Sequence, residues 1–171
     1  LPMFTRIMPR TVGERLAANA AAINLAATHP PGGRLTGEQR LILQRYTGNG
    51  GISLDRLAEL VPADWLPTRK AMLDEFFTPH EICEEIARIA LYLAGNRLEG
   101  IALEPACGVG RFVGAFAPIH GLSWTCIEIS KISATIATLL YPKARVYNQP
   151  FEQFIADNHD EYAGKVALVV T

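Results

Sequence analysis

"IALEPACGVGRF", residues 101–112, is the stretch on which the fold turns. A short apolar run meets a carboxylate and a proline. Two glycines follow, and then residues that suit a helix. A glycine-rich turn between a buried strand and a helix is where parallel α/β sheets hold their ligands. The surroundings repeat the theme. Upstream, "PHEICEEIARIALYLA" (79–94) sets Ile82, Ile86, Ile89 and Leu93 at helical spacing. Downstream, "SWTCIEI" (123–129), "ARVYN" (144–148) and "KVALVV" (165–170) read as strands. Between them "SKISATIATLLY" (130–141) and "PFEQFIADN" (150–158) read as helices, the first stopped by Pro142. Strands alternating with helices predict a parallel, doubly wound sheet.

The first part of the chain reads as helices. "TVGE" (11–14) and "TGEQ" (36–39) are capping boxes, each opening a helix: an Ala-rich one through residue 28 and a short one through Tyr46. "HPPGGRL" breaks the chain between them, and "GNGG" (48–51) ends the second. Ser53 is placed to cap a further helix through Leu60, and "VPADWLPT" (61–68) is a linker. In "TPHE", Thr78 reads as an N-cap, Pro79 as the first helical residue and Glu81 as the reciprocal partner. The expected organisation is a helical region over 1–70 and a half-domain of nucleotide-fold type over 71–171.

Composition fits this picture. The chain has 171 residues, 49% hydrophobic and 19% charged, enough to bury a core. Sixteen Lys and Arg against seventeen Asp and Glu leave a net charge of −1, so no global pull toward nucleic acid is expected. The balance is uneven. Residues 1–70 carry nine basic and five acidic groups, +4, and residues 71–171 carry seven and twelve, −5. Cys83, Cys107 and Cys126 form no CxxC pair, and the four histidines no ligand spacing, so neither a metal site nor a disulfide framework is expected. Free thiols predict a cytoplasmic protein. No apolar run approaches the ~18 residues of a membrane span, and "LPMFTRIMPR" lacks the compact apolar core of a signal peptide.

Which ligand the turn holds can be weighed from its residues. Gly108, Gly110 and Gly114, with Glu128 about twenty residues beyond Gly108, satisfy part of the dinucleotide pattern. Yet Glu104 stands beside the turn, where it would repel a pyrophosphate. No lysine serves as a phosphate-binding residue there either. A cationic nucleoside fits better. S-adenosyl-L-methionine carries an ammonium and a sulfonium and no phosphate. Glu104 can pair with the ammonium, Gly108 and Gly110 admit the sulfur end, Glu128 can hold the ribose hydroxyls, and Phe151 can cover the adenine.

"LEPACGVGRF", "CIEI" and "FFTP" together resemble the motifs of amino-group DNA methyltransferases, N6-adenine enzymes of the gamma order, over residues 76–171. "EQRLILQRYTGNGGI" followed by "LDEFFTPHEI" is similar, more loosely, to the region leading into the methylase part of large methylase–helicase proteins of phages and mobile elements. The resemblance implies that Phe77, Thr78 and Pro79 meet the methionine end of the cofactor. Glu104, Ala106, Cys107, Gly108 and Gly110 would line the cofactor turn, with Glu128 on the ribose and Ile129 and Phe151 flanking the adenine. It implies DNA as partner, methyl transfer to an exocyclic amine, and a restriction-modification setting. Two departures stand out. Pro150 replaces the acidic residue that precedes the family's aromatic after the third strand, leaving Asn148 or Gln149 as substitutes. The catalytic tetrapeptide, expected just after Thr171, lies beyond the sequence. The chain is therefore expected to be a truncated, inactive portion of an enzyme, with an exposed sheet edge open to self-association.

Rival readings are methylation of RNA or of protein glutamine, a nicotinamide-dependent oxidoreductase, and a degenerate, non-catalytic nucleotide-fold module of a mobile-element protein. At single residues, Trp65, Trp124 and one of Phe76 and Phe77 read as packing. Cys107 reads as a small turn residue and His80 as exposed.

Overall fold

A computed structural model describes residues 8–30 and 32–171. The chain falls into two compact units, Leu1–Phe77 and Thr78–Thr171.

In the first unit, α1 (Val12–Thr28) starts at the expected capping box: Thr11 Oγ1 accepts from the Glu14 amide, and the Glu14 carboxylate accepts from the Thr11 amide. The same reciprocal pair, Thr36 and Gln39, opens α2 (Gly37–Gln44). Helix α2 stops two residues before Tyr46. That ring is fully buried, and its hydroxyl donates to Glu75 at 3.0 Å, a tertiary contact that overrides local helix propensity. Ser53 caps α3 (Leu54–Ala58), a single 3-10 turn occupies Ala63–Trp65, and α4 (Ala71–Asp74) follows.

Loop 46–51 is held by buried polar groups. Asn19, on the buried face of α1, donates to the Gly48 carbonyl at 2.7 Å and accepts from the Thr47 amide at 2.9 Å. Arg15 donates to the Gly48 and Gly50 carbonyls. Glu75 accepts from the Asn49 amide and side chain at 2.9 and 2.8 Å. Satisfied buried polar groups of this kind fix one loop geometry, because any alternative strands a donor or acceptor.

In the second unit, α5 (His80–Leu93) leads to β1 (Gly100–Glu104), α6 (Arg111–Ala115), β2 (Leu122–Ile127), α7 (Lys131–Leu140), β3 (Arg145–Tyr147), α8 (Phe151–Tyr162) and β4 (Val166–Val169). The fold is α/β. The four strands are all parallel, in the order β3-β2-β1-β4. Side chains alternate between the two faces. Ala102, Trp124 and Cys126 face a core shared with Cys83 and Ala87 of α5, Phe112 and Val113 of α6 and Ala137 of α7. Leu103 and Ile127 face Phe154 and Tyr162 of α8. Trp124 is a packing residue, meeting Phe116 edge-on at 5.5 Å.

The start of α5 departs from the expected N-cap. Pro79 keeps an extended ψ of 145° and is itself the cap, without a side-chain hydrogen bond, and His80 is the first helical residue. The Thr78 carbonyl instead accepts from Arg111 Nη1 at 2.8 Å. His80 is half-buried, not exposed, and burial together with Arg111 lowers its pKa.

Candidate functional site

The strand order reverses at β1. The chain steps from β1 to β2 to β3 on one side, then crosses to place β4 on the other. In open parallel sheets, the crevice beyond the carboxyl ends at such a reversal is the usual ligand site. The turn after β1 lies there. Its conformation is fixed from inside. The Cys107 amide donates to the Ile127 carbonyl at 2.9 Å, and the Gly110 amide to the Cys107 carbonyl at 2.8 Å.

Glu128, just past β2, supports the same turn. One carboxylate oxygen accepts from the Gly108 amide at 2.8 Å and the other from the Ser130 amide at 2.7 Å. Asn148, past β3, donates to the carbonyls of Glu128 and Ile129 at 2.8 and 3.1 Å, so the three strand ends are laced together. Buried Gly110 has φ of 78°, a left-handed conformation that disfavours a side chain. A Cβ on it would sit 2.8 Å from the Tyr141 ring, and one on Gly114 would meet the Tyr141 hydroxyl. These two glycines make room for a tyrosine at the end of α7.

Glu104 is the exceptional residue. Its position on β1 shares a face with Ala102 and is paired in register with Cys126. It is 2% exposed, and its Oε2 is buried with no hydrogen-bond partner. Burial holds its carboxyl well above the usual range, with Cys126 and the Glu128 carboxylate adding to the effect. The nearby thiols are unreactive in kind. Burial pushes Cys83 up to about 11, and a hydrogen bond to Cys126, together with burial, raises Cys107. All three cysteines are free and buried.

The remaining sequence-derived positions differ in burial. Ala106 is exposed in the turn, whereas Cys107, Gly108 and Gly110 are buried. Ile129 is 72% exposed at the end of the loop that Asn148 pins. Phe151 opens α8 behind Pro150, half-buried and stacked on Phe154 at 6.4 Å. Thr78 and Pro79 are exposed, the Thr78 carbonyl tied to Arg111. Phe77 belongs to the first unit, where its ring lies 5.9 Å from that of Tyr46. Sequence reasoning missed Arg111 and Tyr141, and it left Gln149 as a bare alternative, although its Nε2 is buried without a partner. Among the described residues no group of three or more His, Cys, Asp or Glu could hold a metal ion, and no helix is long and apolar enough to cross a membrane.

No protein-family model matches the chain. The chain is 35% identical over 156 residues to the protein named Defense against restriction protein B of Escherichia phage P1. The match covers 89% of this chain but only 6% of that protein's length. This overturns the reading of the chain as part of a gamma-order N6-adenine DNA methyltransferase, and with it the enzymatic activity and DNA-methylation role that the motifs implied. The protein it matches is named for defence against restriction, not for methyl transfer. The physical reason the motifs misled is visible in the turn. Gly110 and Gly114 accommodate Tyr141, and Glu128 binds backbone amides, so their spacing is explained by folding without any methyl transfer.

Proposed function

We propose that the chain is a non-catalytic nucleotide-fold module of a mobile-element protein that works against restriction in the host cytoplasm. In this reading its second unit binds a cationic nucleoside, with S-adenosyl-L-methionine the candidate. The similarity to the phage P1 protein along nearly the whole chain carries the biological setting. The partnerless Glu104 oxygen beside a glycine turn supports the ligand class, since a buried acid without a partner is a place for a cation. The order β3-β2-β1-β4 supports a sheet of the type that S-adenosylmethionine-binding proteins use. Ligand contacts within this unit are assigned to Glu104, Ala106, Cys107, Gly108, Gly110, Glu128, Ile129 and Phe151, with Thr78 and Pro79 toward the methionine end.

The excess of +4 over residues 1–70 supports DNA as the partner of the first part. Two assays test the proposal. A tritiated-methyl assay on adenine-rich duplex and single-stranded DNA is expected to show no transfer, and clear transfer would overturn the non-catalytic reading. A phage whose protein carries Glu104→Gln in this segment is expected to lose protection in a restricting host. Full protection would remove the site from the function.

A further inference from the structure

Glu104 faces an unusual set of neighbours for a cation-binding carboxyl. From β2 comes the Cys126 thiol, and from the loop after it the Glu128 carboxylate. From the glycine turn comes Cys107 and from α5 Cys83, whose own titrations both feel Glu104. These groups are thiols and one carboxylate; none of them offsets a negative charge. The residue is 2% exposed and its Oε2 has neither water-accessible surface nor a hydrogen-bond partner. An ionised carboxylate in that position is costly, and a neutral acid much less so. When an organic cation arrives, the balance reverses, because its charge supplies what the surroundings lack.

We propose that Glu104 stands as the neutral acid in the ligand-free protein and releases its proton when the ligand's ammonium binds, so that the site exchanges one proton for one organic cation. This rests on the ligand reading above. In the exchange the carboxyl O–H bond breaks, its electron pair stays on the oxygen, and the proton passes to a buffer base. No bond to the ligand forms. The site is then selective by charge state: neutral nucleosides gain nothing from Glu104, and acidic conditions favour the empty form.

The test is calorimetric titration of the 171-residue chain with S-adenosylmethionine between pH 5.5 and 7, in two buffers of different ionisation enthalpy. Over this range an α-amino group, with a pKa of about 7.7–8, stays largely protonated. Up to one proton should be released per ligand, and affinity should rise by up to about tenfold per pH unit while Glu104 remains protonated. Glu104→Gln should bind more weakly and lose the Glu104-dependent release. His80, whose pKa is lowered by burial and Arg111 and which also faces Glu84 and Glu81, is common to both proteins, so its contribution cancels in the comparison. A readout independent of the variant is difference infrared spectroscopy, in which the carboxylic-acid band should disappear on ligand addition. Binding with no proton release and no change in that band overturns the exchange but leaves the ligand reading intact. No binding at any pH overturns both.

Discussion

At Glu128 both carboxylate oxygens are taken by backbone amides, so the side chain belongs to the turn's folding as much as to any ligand. Glu128→Ala should therefore destabilise the second unit by about 1.5–3 kcal/mol even without ligand, the range for hydrogen bonds to a charged group. Glu152→Ala, exposed on α8, should stay within roughly 0.5 kcal/mol. Urea unfolding of the two variants compares them, and equal losses would mean the Glu128 contacts contribute nothing. Glu104 makes the opposite prediction about pH. Its pKa is raised in the folded chain above the ordinary 4.5, so the native state keeps a proton that the unfolded chain gives up. Stability from this group is complete below pH 4.5 and falls as pH climbs toward the folded value, by at most about 1.4 kcal/mol per pH unit. Relative to Glu104→Gln, wild type should lose stability as pH rises above 4.5. A difference that stays flat, or widens in wild type's favour, contradicts the buried neutral acid.

Among the elements, helix starts at 11, 36 and 53 were legible, because each cap is made of residues within one turn of each other. Thr78 was not: its carbonyl is claimed by Arg111, thirty-three residues away, and no local window contains that competitor. The glycines of the turn were legible as glycines but not in this purpose, since Tyr141, which packs against Gly110 and Gly114, lies at the far end of α7. That purpose can be tested. Gly110→Ala should cost at least the ~1–2 kcal/mol of a left-handed non-glycine residue, plus the clash with the ring. On a Tyr141→Ala background the clash vanishes, so the same substitution should cost less. Equal costs on both backgrounds would show that Tyr141 is not what requires the glycine. In the first unit, the role of Asn19 was not legible, because its partners Thr47 and Gly48 lie in the loop after α2, outside any local window. Asn19→Ala strands the Thr47 amide, while Arg15 still donates to the Gly48 carbonyl, and should speed hydrogen exchange across residues 46–51 as that loop loses roughly 1–3 kcal/mol of support. Unchanged protection there would contradict the network.

At the scale of the whole molecule, alternation of strands and helices was enough to read an α/β parallel sheet, but not its order. Parallel crossovers look alike in sequence whether the next strand lands left or right of β1, and only the order β3-β2-β1-β4 puts the turn at a reversal point. Activity was less legible still. The strand, glycine turn and distant carboxylate that suggested a methyltransferase are each used here to close the fold on itself, so they cannot by themselves report a reaction. Among the buried atoms that internal contacts leave without a hydrogen bond is a Glu104 oxygen, which in the proposed function awaits a cationic nucleoside. Calorimetric titration of the intact chain with S-adenosylmethionine, S-adenosylhomocysteine and NAD measures this most directly. The account predicts that both sulfur ligands bind and that NAD, whose pyrophosphate meets a carboxyl with no lysine beside it, does not. Saturable binding of NAD with neither sulfur ligand bound would contradict it.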